Sequence, residues 1–173
     1  MLSFLFVAAL CASCLASPVL VHYSYSTAVG SGTGTAFSST ANGRITAVRV
    51  WENNNAYIKG IQLRHEYTWD IVLGHKLGEP QELELFDGEV ITQISGKYHP
   101  SNYIYQLIFV TSRGRNLMIG QPLQTSFNFY PAHQDGELRL LSGRFNNAGI
   151  TSLGAHWGVV YMEDSNSTDV SSM

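Results

Sequence analysis

The chain has 173 residues and a formal net charge of −3, with 45% hydrophobic and 13% charged residues. This length suits one domain, and the apolar fraction excludes the low-hydrophobicity composition of disordered chains. The slight acidic excess argues against a binder of nucleic acid or polyanions, which would carry a basic surplus. Sixteen glycines and nine tyrosines at low charge are typical of a β-protein rather than of a helical enzyme.

The N-terminal segment predicts a cleavable signal peptide over residues 1–16. Its first ten residues are apolar apart from Ser3, and small residues follow as far as Ala16, as expected for a short apolar core before a cleavage site. A membrane anchor is the alternative, but the apolar run is short for a bilayer. We therefore expect a secreted domain over 17–162 and a polar tail over 163–173, with no transmembrane anchor after cleavage.

Cleavage would also remove Cys11 and Cys14, the only cysteines of the chain. The remaining domain would be stabilised by its core alone, which its size allows. Cysteine nucleophiles and thiolate metal sites are thereby excluded. One N-glycosylation sequon begins at Asn166 in the polar tail, and this modification is compatible with secretion.

Short apolar or aromatic stretches separated by Gly and Asn predict a succession of strands. Residues 45–51 alternate approximately and end in an Asn-rich turn, and 57–63 resume the pattern. Further strands are expected over 69–73, 82–85, 89–94, 103–111, 116–119, 125–129, 138–141 and 149–161. No twelve-residue window carries a helical stripe with caps. About ten to twelve strands without a linker predict one all-β domain, a sandwich, a barrel or a related arrangement.

Residues that could carry catalysis are sparse. The six histidines lack metal-ligand spacing, and the chain contains neither a zinc-protease motif nor a serine nucleophile motif. Glu82, Glu84, Asp87 and Glu89 form an acidic stretch that could hold a general acid–base pair, although solvent-facing charges on a strand and a turn are favoured. We expect no enzymatic activity, no metal and no cofactor.

Two loops are more informative. Residues 30–37 form a glycine loop, Gly-Ser-Gly-Thr-Gly-Thr-Ala-Phe, and residues 145–151 form a second loop that contains Asn and Gly. Glycines let backbone N–H groups approach a ligand closely, and small hydroxyl side chains add donors and acceptors without bulk. Such loops suit a sugar, whereas a phosphate loop is disfavoured because no Lys follows and no helix is predicted. Tight turns between strands are the alternative.

A series of short segments in chain order carries a resemblance to a known family. The segments are the glycine loop ending at Phe37, then residues 45–50, 57–63, 88–98, 107–115, 141–144 and 154–157. Together they resemble the jacalin-related lectins, in particular the animal branch of that family. The resemblance implies the β-prism I fold, in which three four-stranded antiparallel sheets surround a pseudo-threefold axis. It also implies a carbohydrate-binding module without catalysis.

Lectins of this family bind sugars between a glycine loop, a variable recognition loop and a C-terminal loop whose Asp accepts hydrogen bonds from two adjacent sugar hydroxyls. The resemblance therefore implies the following ligand-binding residues: Gly32, Thr33, Gly34, Thr35, Tyr103, Gly149, Ile150 and Thr151. Within the recognition loop, 99–103, the ring of Tyr103 offers an aromatic face to a sugar.

The C-terminal loop departs from the family pattern. Counting back from residues 154–157, the position of the Asp holds Thr151 and that of the preceding Gly holds Asn147. A charge-assisted hydrogen bond contributes roughly 1.5–3 kcal/mol, a large share of a millimolar affinity of about −4 kcal/mol. Thr151→Asp is therefore expected to strengthen mannose binding if the loops still form a site. The basic residues that accompany binding of sulfated polysaccharides in the family are replaced by Thr35 and Ala36.

Two functions remain open. Gly32 and Gly34 favour binding of mannose-type or related glycans, free or on glycoproteins, by a protein that is secreted or stored in secretory granules. Thr151 favours instead a granule or extracellular protein-interaction module whose sugar site is degenerate. Neither hypothesis involves nucleic acid, and the sequence does not determine the oligomeric state.

Overall fold

The computed structural model describes residues 19–40 and 42–161, which form thirteen β-strands and no helix. It follows that no described segment is a helix long and apolar enough to cross a membrane. The signal peptide expected at 1–16, the tail expected at 163–173 and the sequon at Asn166 lie outside the described residues.

The strands follow one another in chain order with short connections. They are β1 (Val19–Gly30), β2 (Thr35–Ser38), β3 (Ile45–Asn53), β4 (Tyr57–His65), β5 (Thr68–Trp69), β6 (Leu73–Gly74), β7 (Gln81–Glu84), β8 (Ile91–Tyr98), β9 (Ile104–Thr111), β10 (Asn116–Gly120), β11 (Thr125–Phe129), β12 (Glu137–Phe145) and β13 (Ile150–Tyr161).

Three antiparallel sheets are built around three long hairpins. The first sheet has the order β1-β13-β12-β2, the second β10-β9-β8-β11 and the third β5-β4-β3-β7, with β6 also paired to β4. Strand β5 pairs with residues 64–65 of β4, and β6 pairs with residues 60–61 of the same strand. The two short strands therefore lie along one edge of β4 and together form a single interrupted strand. Each sheet is therefore four strands wide, and the expected β-prism of three antiparallel sheets is confirmed.

The inner faces of the three sheets share one core. Alternate residues of the hairpins point inward, because successive side chains of a strand face opposite sides, and among them are the fully buried Ile58, Ile61, Ile94, Leu107, Phe109, Leu141, Leu153 and Trp157. Burial of each such side chain stabilises the fold by about 1.5–3 kcal/mol. The loops at the ends of the hairpins are thereby held on a rigid scaffold.

Three details differ from the strand predictions. Strands β1 and β2 were not predicted, because both are edge strands of the first sheet with many Ser, Thr and Ala residues. The strand expected over 69–73 is instead two short strands separated by residues 70–72. The carboxylate of Asp70 accepts hydrogen bonds from the backbone N–H and the hydroxyl of Thr40. Strand β8 begins at Ile91 rather than at Glu89.

Three of the four acidic residues, Glu82, Glu84 and Glu89, form ion pairs, whereas Asp87 is exposed. Glu82 pairs with Arg49 at 2.5 Å and Glu84 with Arg64 at 2.6 Å, on the third sheet. Glu89 is buried, which corrects the expectation that it faces solvent, and it pairs with Arg115 at 2.6 Å.

The environment of Glu89 favours its charged form. Its carboxylate accepts hydrogen bonds from the Arg115 guanidinium, from the Thr111 hydroxyl and from the backbone N–H of Phe86. The pKa of Glu89 is lowered to about 2, chiefly by the hydrogen bonds from Arg115. Burial acts in the opposite direction and by itself would raise this pKa. Arg115 thus joins the start of the β8–β9 hairpin to its end.

Candidate carbohydrate-binding site

The glycine loop is anchored at both of its ends by close backbone contacts. Ser31 N–H donates to the carbonyl of Thr151 over 2.9 Å, directly after the end of β1. At Gly34, where φ is +92°, a Cβ atom would lie 2.2 Å from the carbonyl oxygen of Phe145. Only glycine fits this position, because it combines a positive φ with a contact too close for any side chain.

Between these anchors the loop presents unpaired backbone donors. Gly32, Thr33 and Gly34 are exposed, and their N–H groups make no hydrogen bond to another described residue. Thr35, the next residue, is also exposed and begins β2. The loop therefore has several N–H groups available as donors.

The recognition loop contacts the glycine loop. The Ser31 hydroxyl donates to the carbonyl of Asn102 over 3.0 Å. Backbone hydrogen bonds from His99 N–H to Tyr103 O and from Asn102 N–H to His99 O close the recognition loop into a tight turn. Two of the three loops expected to form the site are thus adjacent.

Tyr103 is half-buried at the point where the recognition loop meets the C-terminal loop. Its ring stacks on that of Tyr57, with centroids 4.3 Å apart and an interplanar angle of 18°. Its hydroxyl accepts a long hydrogen bond of 3.4 Å from the side-chain amide of Asn146. The stack joins the recognition loop to β4 of the third sheet, and neither ring lines the depression described below.

The C-terminal loop is organised by the side chain of Asn146. Its Oδ1 accepts hydrogen bonds from the N–H groups of Ala148, at 2.9 Å, and Gly149, at 3.2 Å. Gly149 is buried, and a Cβ atom there would lie 2.6 Å from the carbonyl oxygen of Ile58. The N–H of Gly149 is thus engaged within the loop, whereas that of Asn147 makes no hydrogen bond to another described residue.

Two side chains of the third sheet hold the C-terminal loop from outside. Lys59 Nζ donates to the carbonyl of Asn147 over 3.0 Å. The ring nitrogen Nε2 of His75 lies 3.0 Å from the carbonyl oxygen of Asn146 and donates to it, since a carbonyl can only accept. The position of the loop therefore depends on the packing of the first sheet against the third.

Thr151 and Ile150 are buried at the base of the site. Thr151 is 1% exposed, and its hydroxyl donates to the backbone carbonyl of Thr33 over 2.5 Å. Ile150 is fully buried in the core. Neither side chain faces solvent, so these two residues contribute by supporting the glycine loop and the core beneath it.

The glycine loop and the C-terminal loop border an open depression of about 400 Å³, lined by Gly34, Thr35, Phe145, Asn146, Asn147 and Ala148. Depressions of about 390–430 Å³ lie elsewhere on the surface, so the unpaired donors and the convergence of loops distinguish this one. No carboxylate lines it. The nearby charges are cations, because Arg144 donates to the carbonyl of Gly34 over 2.8 Å and Lys59 holds the opposite rim.

We searched the described part of the chain for groups of side chains that could bind a metal ion. Residues 19–40 and 42–161 hold no group of three or more His, Cys, Asp or Glu side chains that could bind a metal ion.

Several residues of the site could not be identified from sequence patterns. Tyr57, Lys59 and His75 lie on strands of the third sheet or next to them, far from the loops in sequence, and Arg144 lies in β12 before the C-terminal loop. The strand pattern of 57–63 contained Tyr57 and Lys59, but nothing in it indicated that they contact a loop of the first sheet.

A β-prism whose loops converge at one end around a glycine loop defines a lectin-type carbohydrate-binding fold. The sequence profile of the jacalin-like lectin domain matches residues 26–156. The chain therefore belongs to the jacalin-like lectin family, whose members are carbohydrate-binding proteins without enzymatic activity.

Individual relatives support this assignment. Human zymogen granule membrane protein 16 is 40% identical over 163 residues, which cover 92% of this chain and 95% of that protein. Rat prostatic spermine-binding protein is 33% identical over 102 residues, covering 58% of this chain and 36% of that protein.

Solved structures agree on the fold. A prostate-specific WGA16 glycoprotein lectin superimposes with a TM-score of 0.70 at 29% identity, covering 79% of this chain and 99% of that one. Artocarpin complexed with methyl-α-mannose superimposes with a TM-score of 0.67 at 18% identity, covering 80% and 99% of the two chains. At 18% identity the second likeness concerns the fold alone.

Proposed function

We propose that this protein binds mannose-type or related glycans at the depression between the glycine loop and the C-terminal loop. The observation that carries the proposal is the set of exposed and unpaired N–H groups of Gly32, Thr33 and Gly34 beside that depression. A sugar ring offers several oxygens at short spacing, and these donors can reach them together. The mannose ligand in the artocarpin structure, a member of the same fold, supports this ligand class.

The acceptors for sugar hydroxyls are neutral in this protein. The exposed side-chain amide of Asn147 and the hydroxyl of Thr35 border the depression, whereas the Thr151 hydroxyl is engaged with Thr33. Neutral hydrogen bonds contribute about 0.5–1.5 kcal/mol each, against about 1.5–3 kcal/mol for charged ones. We therefore expect weak affinity for a single sugar, in the millimolar range of about −4 kcal/mol, and stronger apparent binding on multivalent glycans.

The direct test is a glycan array with purified residues 17–173, carrying mannose oligomers and sulfated polysaccharides. Selective retention of mannose-type glycans is the expected result. Gly34→Ala should abolish it, because the new Cβ would overlap the carbonyl of Phe145. Gly114→Ala is the matched control, since Gly114 also has a positive φ, +74°, but has open space around its Cβ position.

A blank array with a folded protein would refute glycan binding. The competing hypothesis, a protein-interaction module with a degenerate sugar site, would then be favoured, and a pull-down from secretory granules would be the next experiment. Equal loss of binding in Gly34→Ala and Gly114→Ala would indicate general destabilisation rather than a local effect on the site.

For location, we propose cleavage of residues 1–16, secretion, and storage in secretory granules. The name of the human relative, zymogen granule membrane protein 16, supports a granule association. Expression of the full chain in cultured secretory cells should release a protein that begins at Ser17 into the medium. Asn166→Gln should increase its electrophoretic mobility if that sequon is glycosylated.

A further inference from the structure

A second pocket, of about 430 Å³, lies between the segment that follows β2 and the turn from β4 to β5. We call it the β4–β5 pocket, and its lining includes Thr40, His65, Glu66, Trp69 and Asp70. Strand β4 runs from Tyr57, which stacks on the recognition loop, to His65. At about 3.3 Å per residue, the pocket lies roughly 25 Å from that loop, so a ligand in it would not touch the proposed glycan site.

His65 lies at the wall of the pocket with an unpaired ring nitrogen. Its side chain is 5% exposed, and its Nε2 donates to the carbonyl of Arg139, 3.3 Å away, since a carbonyl can only accept. Its Nδ1 is buried and has no hydrogen-bond partner. Buried polar atoms without a partner are rare in native proteins, and such an atom indicates a water, an ion or a ligand that satisfies it.

The carboxylate of Asp70 faces this nitrogen without bonding to it. Its Oδ2 lies 3.9 Å from His65 Nδ1, and its side chain is 7% exposed. Protonation of Nδ1 would not close the gap, because 3.9 Å is too long for a hydrogen bond. Oδ2 accepts hydrogen bonds from the N–H and the hydroxyl of Thr40, which are both neutral donors. A buried carboxylate that no described cation bonds to favours a cationic ligand.

The charged side chains that line the pocket are acidic. Asp70 and Glu66 line it, and neither forms an ion pair with a Lys or Arg of the described residues. The neighbouring arginines are paired with other carboxylates: Arg44 with Glu137, Arg49 with Glu82 and Arg64 with Glu84. The described residues around the pocket form no group of three side chains placed to bind a metal ion. An organic cation is therefore the favoured ligand.

A primary ammonium group fits both acceptors. Its three N–H bonds diverge, so that one nitrogen can donate to His65 Nδ1 and to Asp70 Oδ2 together. An alkyl chain attached to it would lie along Trp69, which supplies apolar surface to the lining. We propose that the β4–β5 pocket binds a primary alkylammonium group, carried by a free amine or by a lysine side chain, through His65 and Asp70. This site does not depend on glycan binding.

Titration of the full chain with matched probes tests the ligand class. At pH 7.5 n-butylamine is protonated, as a lysine side chain is, whereas 1-butanol lacks the charge and trimethylbutylammonium lacks the N–H donors. We expect n-butylamine to cause saturable NMR shifts of the His65 ring and of the Trp69 indole N–H. The other two probes should bind about tenfold or more weakly, because charge-assisted hydrogen bonds are the stronger ones.

N-acetyl-lysine methylamide distinguishes the two sources of the ammonium group. Binding at least as tight as that of n-butylamine would assign the pocket to lysine side chains of a partner. Weaker binding would assign it to free amines.

Asp70→Asn should weaken the binding of n-butylamine about tenfold or more. It removes the charge but keeps an oxygen for the hydrogen bonds from Thr40. Asp135→Asn is the matched control, since Asp135 carries the same charge, is 65% exposed and lies outside the pocket. Equal weakening in the two variants would overturn the assigned role of Asp70 and indicate a general effect of net charge.

The absence of saturable shifts with n-butylamine would overturn the proposal and assign His65 Nδ1 to an ordered water. Equal binding of n-butylamine and trimethylbutylammonium would also overturn it, because His65 and Asp70 would not then act as hydrogen-bond acceptors. If Asp70→Asn fails to fold, the comparison of the probes on the unaltered protein still decides.

Discussion

The hydroxyl of Thr151 donates a hydrogen bond to the backbone carbonyl of Thr33 over 2.5 Å. This contact joins the start of the C-terminal strand to the middle of the glycine loop. Thr151 occupies the position that the family resemblance assigns to a sugar-binding Asp, but it is 1% exposed. In this protein the residue therefore supports the loop that presents the backbone donors.

Thr151→Val should weaken both the fold and the site. The isosteric side chain keeps the packing but removes the bond to Thr33, so we expect a loss of about 1 kcal/mol in the free energy of unfolding and weaker glycan binding. Thr151→Ser, which keeps the hydroxyl, is the control. Urea unfolding and binding to mannose oligomers measure the two effects, and an unchanged affinity in Thr151→Val would show that the bond does not position the loop.

Thr151→Asp is expected from the geometry to lower mannose binding, contrary to the expectation from the sequence alone. A carboxylate cannot donate to the carbonyl of Thr33, and the two oxygens would repel each other. The same binding assay decides between the two expectations. Tighter binding in this variant would mean that the loop rearranges and turns the carboxylate toward the ligand.

Asn146→Ala should disorganise the C-terminal loop. It removes the acceptor for the N–H groups of Ala148 and Gly149, two bonds whose combined loss we expect to destabilise the protein by about 1–2 kcal/mol. Asn146→Asp keeps the acceptor and should retain most of the stability. Thermal unfolding and glycan affinity of the two variants provide the comparison, and equal destabilisation of both would contradict the assigned role.

Tyr103 should contribute through its ring rather than through its hydroxyl. The bond from Asn146 to the hydroxyl is long, 3.4 Å, whereas the ring stacks closely on Tyr57. Tyr103→Phe should therefore bind glycans within about twofold of the natural protein, and Tyr103→Ala should bind about fivefold or more weakly, since aromatic pairs contribute about 0.5–1.5 kcal/mol. Titration calorimetry with a mannose oligomer measures both, and the reverse order would assign the role to the hydroxyl.

Glu89 should make stability depend on acid pH. Its pKa is lowered to about 2, chiefly by the hydrogen bonds from Arg115, so its stabilising effect is complete above an ordinary glutamate pKa of about 4.3. That effect decreases as the pH falls toward 2. Glu89→Gln should lower the free energy of unfolding by about 2 kcal/mol at pH 7 and flatten its pH dependence below 4. Urea unfolding from pH 7 to 2.5 is the measurement, and parallel pH profiles would exclude this role.

The alternation of apolar and polar residues was sufficient to predict the strands of the hairpins. The alternation over 45–51 and 57–63 predicted β3 and β4, because a strand with one face in the core must repeat every second residue. Apolar alternation did not predict β1 and β2. These two edge strands are stabilised by pairing at the edge of a sheet rather than by burial of a regular apolar face. The family resemblance, which rests on the order of the matching segments along the chain, correctly predicted three antiparallel sheets.

The sequence by itself determined the all-β class, the family and the two loops that the structure places around the depression. Only the tertiary structure decided what each loop residue does. The N–H of Gly149 is occupied by Asn146, Thr151 faces Thr33 instead of solvent, and Lys59 and His75 hold the C-terminal loop from another sheet. Strand periodicity follows from interactions between neighbours in the chain. The bond from Thr151 to Thr33 instead joins residues 118 positions apart, and those from Lys59 and His75 exist only once the third sheet has packed against the first.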